Sequence, residues 1–188
     1  GSDVTIRHVG MNPTRTGLMD VLKKMGADIE VLALREVAGE PVGDLRIKSA
    51  PLKGVAIGAE LIPKTIDEFP VLCVAAAVAD GETVISGAEE LRVKESDRIA
   101  TMSSELRAMG AQIEERPDGM FIRGLGRGGN GRLMAPSSAQ SHGDHRVAMS
   151  LAIGGLTAER SMTVADTSCV DTSFPNFEEV LAQLVSVR

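Results

Sequence analysis

The sequence predicts an α/β fold of repeated βαβαββ-type units, with buried central helices, outer sheets and a third unit left incomplete. Three observations carry this reading. LKKMGADIE (Leu22–Glu30) recurs as LRAMGAQIE (Leu106–Glu114), with six of nine positions identical at an offset of 84. IDEFPVLCVAAAVADGETVI (Ile66–Ile85) is paralleled by GDHRVAMSLAIGGLTAERSMTV (Gly143–Val164); each runs from an acid through an apolar helix to a short strand. A third start, DTSFPNFEEVLAQL from Asp171, has no second half. Self-similarity at a fixed spacing marks a repeated supersecondary unit.

Each unit reads β-α-β-β then α-β. Short β-branched or alternating runs predict strands at Val4–Val9, Ile29–Leu34, Leu45–Ile47, Thr83–Ser86, Gln112–Glu114, Met120–Arg123 and Met162–Val164. Arg15–Met25 and Ile99–Met109 have one apolar face and predict helices lying on a sheet. Val71–Ala79 and Val147–Leu156 are apolar on all sides, which predicts central helices. The repeats divide a single domain, 1–188, at about 4–90, 91–169 and a partial 170–188.

With 188 residues, 43% hydrophobic and 24% charged, the chain is long enough for a sizeable core and ordinary for a globular protein. Four Phe, no Trp and no Tyr leave the core to aliphatic residues and Met. That scarcity and a net charge of −6 argue against nucleic-acid binding, which wants aromatic platforms and a basic surface. The longest apolar run, Phe69–Ala79, is too short to span a membrane. No signal peptide opens the chain, and a cytoplasmic location is expected. Cys73 sits in an apolar run as a core residue, Cys169 lies near a strand end, and a disulfide between them is left open.

Leu91–Arg98, LRVKESDR, places five charges in eight residues at a strand-to-helix junction. A helix N-terminus favours anions, because its first N–H groups lack partners and its dipole is positive there. Lys94 and Arg98 would complete an anion site, and Glu95 would stand beside it as proton donor or acceptor. The plainer alternatives are a capping carboxylate, a surface lysine and a Glu95–Arg98 pair worth about 0.2–0.5 kcal/mol. Arg98 could instead clamp a carboxylate bidentately.

At the second apolar helix, Asp144 is a candidate N-cap, and Arg146 follows in the first turn, where a cation opposes the dipole unless an anion faces it. His145 reads as an orienting group or weak acid. A metal site from His142, Asp144 and His145 is poorly spaced and lacks a fourth ligand, so no metal is expected. Asp67 precedes the first apolar helix, either as N-cap or as acceptor for a substrate hydroxyl. Arg15 in NPTRTG is a weaker candidate for the same end. Gly124–Gly129 fits G-x-G-x-x-G, but no helix follows, so it reads as a hairpin-type loop rather than a dinucleotide site.

LRVKESDR with the following LRAMGA, together with NPTRTGL, IDEFPVL, HGDHRVAM and SFPNFEE, resembles the 3-phosphoshikimate 1-carboxyvinyltransferase (EPSP synthase) family over nearly the whole chain. The resemblance covers the carboxy-terminal half of that two-domain family; its amino-terminal lysine motif is not in this sequence, and Gly1-Ser2 looks like a tag-cleavage scar, so an excised domain is expected. It implies a pseudo-threefold domain with inward helices, completed in the family by a segment from the far amino terminus. It also implies transfer of the carboxyvinyl group of phosphoenolpyruvate to the 5-hydroxyl of shikimate 3-phosphate, without cofactor. Glu95 matches the proton-transfer carboxyl, Asp67 the aspartate at the substrate hydroxyls and Lys94 a lysine near the reacting centre. Arg98 and Arg146 match the pair holding the phosphoenolpyruvate carboxylate, flanked by Asp144 and His145. Asp171 departs from the pattern, since many members carry a lysine there for phosphate. The fragment alone is expected to be inactive without the missing amino-terminal domain. The alternatives are a UDP-N-acetylglucosamine enolpyruvyltransferase-like enzyme and a non-catalytic repeat binding module.

Overall fold

The computed structural model describes residues 1–126 and 131–186. The last part of the Gly124–Gly129 glycine motif lies outside the described residues. Strand β1 (Asp3–Gly10) leads to helix α1 (Gly17–Lys24), then to β2 (Asp28–Val37), β3 (Glu40–Lys48) and the two-residue β4 (Ala56–Ile57). A short α2 (Ile62–Thr65) and the apolar α3 (Phe69–Val78) precede β5 (Glu82–Ile85). A 3-10 turn at Glu89–Val93 opens the next unit: α4 (Arg98–Ala108), β6 (Gln112–Arg116), β7 (Gly119–Arg123), β8 (Ser138–Gln140), α5 (His145–Gly155) and β9 (Thr163–Ala165). The chain continues through α6 (Ser168–Asp171) and α7 (Phe177–Ser186).

The strands form sheets of order β1-β3-β2, β4-β5-β7-β6 and β8-β9. In each of the first two, a central strand pairs antiparallel with both neighbours: β3 with β1 and β2, β7 with β5 and β6. Parallel pairs β4–β5 and β8–β9 are joined across α3 and α5 respectively, as a parallel crossover requires. Neither β4 nor β8 stands out in the sequence. Two or three residues carry no alternation, and their pairing partners define them.

The α3 helix is the centre of the molecule. Leu72, Cys73, Val74, Ala76 and Ala77 are all at most 3% exposed. Its alanines let α5 approach closely, and an added Cβ at Gly154 would touch Val74 Cγ1 at 3.6 Å. Cys73 and Cys169 are both free thiols. Burial pushes the Cys73 thiol pKa far up, so it stays protonated as a core side chain.

Two expectations need correction. The α4 helix does not merely lie on a sheet; it is wedged between sheet and helices, and buries Arg98, Ser103 and Glu105 with its apolar residues. Nor is α5 buried on all sides. Val147, Ala148 and Leu151 are inside, but Met149 and Ala152 are half-buried and Leu156 is 52% exposed. That outer face lines a groove of about 820 Å³, with Met162, Phe174 and Leu181 opposite. The groove exists because β9 pairs only with β8 among the described residues, and the third unit is reduced to α6 and α7.

Leu151→Ala should therefore destabilise the chain by about 2–5 kcal/mol in urea titrations, as core truncations do. Leu156→Ala should cost under about 0.5 kcal/mol. Equal costs would contradict this assignment of inner and outer faces.

Candidate functional site

The N-termini of α3, α4 and α5 carry the charged cluster. Asp97 caps α4, accepting the Ala100 N–H at 3.0 Å. Asp144 caps α5, accepting the Arg146 and Val147 N–H groups at 2.9 and 3.4 Å. Lys94 and Glu95 thus precede the helix rather than occupy its first turn. Asp67 is not an N-cap either; Glu68 holds that position at α3, without a side-chain bond.

Arg98 is the hub. Its side chain is 1% exposed, and Asp144 is fully buried. Arg98 Nε donates to Asp144 Oδ2 at 2.8 Å, and Nη2 donates to Glu95 Oε2 at 2.7 Å. Ser96 Oγ donates to the same Asp144 oxygen at 3.1 Å. Nη1 has no hydrogen-bond partner among the described residues, and its nearest acid, Asp67 Oδ1, is 4.0 Å away.

Asp67 faces three arginines. Arg15 Nη1 donates to Oδ2 at 3.0 Å, Arg146 Nη2 lies 3.3 Å from the same oxygen, and Arg98 stands behind. Arg146 Nη1 also donates to the Asp67 carbonyl at 3.0 Å and lies 4.0 Å from Glu68. The cation that opposes the α5 dipole is thus faced by an acid from the turn between α2 and α3. Arg15 precedes α1 instead of opening it, yet reaches the cluster. Lys94 does not join: its ammonium pairs with Glu90 at 2.9 Å. His145 sits half-buried in the first turn of α5. Among the described residues, no group of three His, Cys, Asp or Glu side chains could hold a metal ion.

Arg92, absent from the sequence candidates, fixes the whole segment. It donates to Pro117 O (2.7 Å) and Arg116 O (2.5 Å) on the β6–β7 hairpin, and to Glu115 and Asp97. The same turn holds Gly87 N–H through Asp118. Alternating charge in LRVKESDR hides which arginine is structural; only the hairpin's return to β5 separates Arg92 from Arg98.

Burial pushes the Asp144 carboxyl up, but the Arg98 bond and charge, with two backbone N–H groups, outweigh it and hold the pKa below the ordinary value. Glu68 goes the other way: burial raises it, Arg146 lowers it and Asp67 raises it further. A depressed folded-state pKa gives stability that is complete above the unfolded value, about 3.9, and is lost as pH falls through the folded value. Asp144→Asn should thus cost about 3–5 kcal/mol at pH 7, leaving Arg98 buried without its partner, and should flatten the loss of stability below about pH 4. An acid limb as steep as that of the unmodified chain would rule out Asp144 as its source.

A small depression of about 130 Å³ lies over this cluster, lined by Asp67, Glu68, Arg146 and the outer residues of α3 and α5. The larger groove beside α7 contains none of the cluster's charged groups. Of the cluster's charged groups, only Asp67, Glu68 and Arg146 line the depression.

Residues 1–181 match the family model of EPSP synthase (3-phosphoshikimate 1-carboxyvinyltransferase). The chain is 54% identical over all its 188 residues to the 3-phosphoshikimate 1-carboxyvinyltransferase of Geobacter sulfurreducens, covering 42% of that protein. It is 57% identical to the Alkalilimnicola ehrlichii protein of the same name, over 96% of this chain and 39% of that one. The solved EPSP synthase of Acinetobacter baumannii superposes with a TM-score of 0.93 at 45% identity, over 97% of this chain and 42% of that one. The chain spans about two fifths of the length of the relatives it matches. On this agreement of sequence and fold, the chain belongs to the EPSP synthase family.

Proposed function

We propose that this chain is a single domain of a 3-phosphoshikimate 1-carboxyvinyltransferase, completed by an amino-terminal domain of the same protein and working in the cytoplasm. The reaction joins phosphoenolpyruvate to the 5-hydroxyl of shikimate 3-phosphate. A base takes the hydroxyl proton, an acid protonates the methylene carbon, and the oxygen bonds to the central carbon as a tetrahedral ketal. Loss of a methyl proton then expels phosphate and restores the double bond. Neither step needs a metal or cofactor.

The observation that carries this reading is Arg98 Nη1, buried and without a hydrogen-bond partner among the described residues. An unsatisfied guanidinium N–H is costly, and a carboxylate is the group that best satisfies it. Arg146, about one third exposed, would supply the second arginine of the clamp on the phosphoenolpyruvate carboxylate. Asp144 and His145 flank the pair. Glu95, half-exposed at 48%, would move protons at the methylene carbon, and Asp67 would accept from the shikimate hydroxyls once Arg15 and Arg146 turn toward substrate. Lys94 would reach the reacting centre by leaving Glu90.

Three arginines here meet four carboxylates, so the side chains give no surplus positive charge for two anionic substrates. The missing cations would come from the second domain, whose closure would also exclude water and strengthen each contact. Asp171 cannot bind phosphate, which places that task on the other domain too.

Phosphate release from phosphoenolpyruvate and shikimate 3-phosphate tests the proposal. The two-domain protein should turn over, and this chain alone should not. In the two-domain protein, Glu95→Gln should lower kcat by about 10²–10⁴ with little change in substrate binding, as loss of a proton-transfer group does. A two-domain protein inert toward this substrate pair would refute the reading, and turnover by the 188-residue chain would show that its site needs no partner domain.

A further inference from the structure

Glu105 is a buried carboxylate that the proposed chemistry leaves unused. It lies seven residues after Arg98 on α4, two helical turns on, and so faces the same side. Its residue is 8% exposed. Both oxygens are engaged with the segment that leads into α5. Oε2 accepts the Gln140 N–H at 3.0 Å, and Oε1 lies 2.8 Å from His142 Nε2.

That segment is a tight turn. Asp144 N–H donates to Ser141 O at 3.1 Å, and the two central residues, His142 and Gly143, have φ of +55° and +72°. Two left-handed central residues define a mirror-image turn, which suits Gly, Asn or Asp. Among non-glycine residues, histidine, like Asn and Asp, is enriched in this region. Ser141, fully buried, fixes the turn from below: its Oγ donates to Asp166 O and accepts the Gly143 N–H. The fourth residue of the turn is Asp144, the partner of Arg98.

We infer that Glu105 and His142 are positioning residues, a tether from α4 that holds the 141–144 turn so that Asp144 meets Arg98. The helix thus grips the connector twice, by Arg98 at Asp144 and by Glu105 at Gln140 and His142. The His142 ring reaches Glu105 from the turn, which ties the turn to α4 by a side chain. The bearing of the tether on anion binding rests on the proposed function; the tether itself does not.

The Arg98 Nε–H proton reports directly on the Asp144 contact, and its exchange with solvent can be followed by NMR in this chain. Glu105→Ala and His142→Asn should each speed that exchange about tenfold, the order expected when one charge-assisted bond of a network is lost. Asparagine tolerates the left-handed turn but is too short to reach Glu105, so a purely conformational role for His142 would leave the signal unchanged. Glu105→Gln, which can still accept from Gln140 and donate to His142, should stay within about twofold of the parent. Backbone amides of α3 report whether each variant remains folded, and His142→Asn, altering a half-exposed side chain, decides if Glu105→Ala does not fold. Unchanged Arg98 exchange in a folded variant of either kind would overturn the inference. If Arg98 responds to Glu105 but phosphoenolpyruvate leaves the Arg98 signal of the two-domain protein unmoved, the tether stands and the proposed function falls.

Discussion

The site depends on one buried ion pair, Arg98 with Asp144. Taking two charges out of water costs several kcal/mol each, and only close geometry with saturated oxygens recovers it. Asp144 meets that condition through Arg98 Nε, Ser96 Oγ and two backbone N–H groups. Arg98 does not fully meet it, because Nη1 is buried with no hydrogen-bond partner among the described residues. The pair locks the start of α4 to the cap of α5 while leaving one buried guanidinium nitrogen without a hydrogen-bond partner among the described residues.

Around the pair, carboxylates stand where substrate groups are proposed to go. Asp67 occupies the space between Arg15, Arg98 and Arg146, and Glu95 takes the remaining Arg98 nitrogen. Holding arginines on acids from the same chain keeps them ordered and avoids mutual repulsion. At the exposed Arg15 and the partly exposed Arg146 an incoming carboxylate would exchange one partner for another, so the gain per contact there is small.

Much of this was legible in the sequence, for definite reasons. The α1/α4 repeat, the apolar α3 and the principal strands follow from periodicity that tertiary contacts reinforce. Glu95, Arg98, Asp144, Asp67 and Arg146 are joined by contacts in the structure, as expected from charges gathered at helix starts. What failed was set by pairing at a distance. The strands β4 and β8 exist because β5 and β9 hydrogen-bond to them. Asp67 misses the cap position by one residue because α3 begins at Phe69. Lys94 turns to Glu90 because the segment before α4 is a 3-10 turn, not helix. Arg92 and Glu105 look like ordinary surface charges until the β6–β7 hairpin and the 141–144 turn are brought against them. Residues in a polar network are read from their partners, and a single sequence does not show partners.

If the proposed function holds, Arg98 Nη1 is kept free of protein partners for a ligand carboxylate. A crystal structure of the two-domain protein with phosphoenolpyruvate and shikimate 3-phosphate tests it most directly. A ligand carboxylate oxygen is expected within hydrogen-bond distance, about 2.7–2.9 Å, of Arg98 Nη1, with Arg146 turned from Asp67 onto the same group and the Arg98–Asp144 contact unchanged. A bound carboxylate held elsewhere, with Arg98 Nη1 still unpaired or turned onto Asp67, would contradict it.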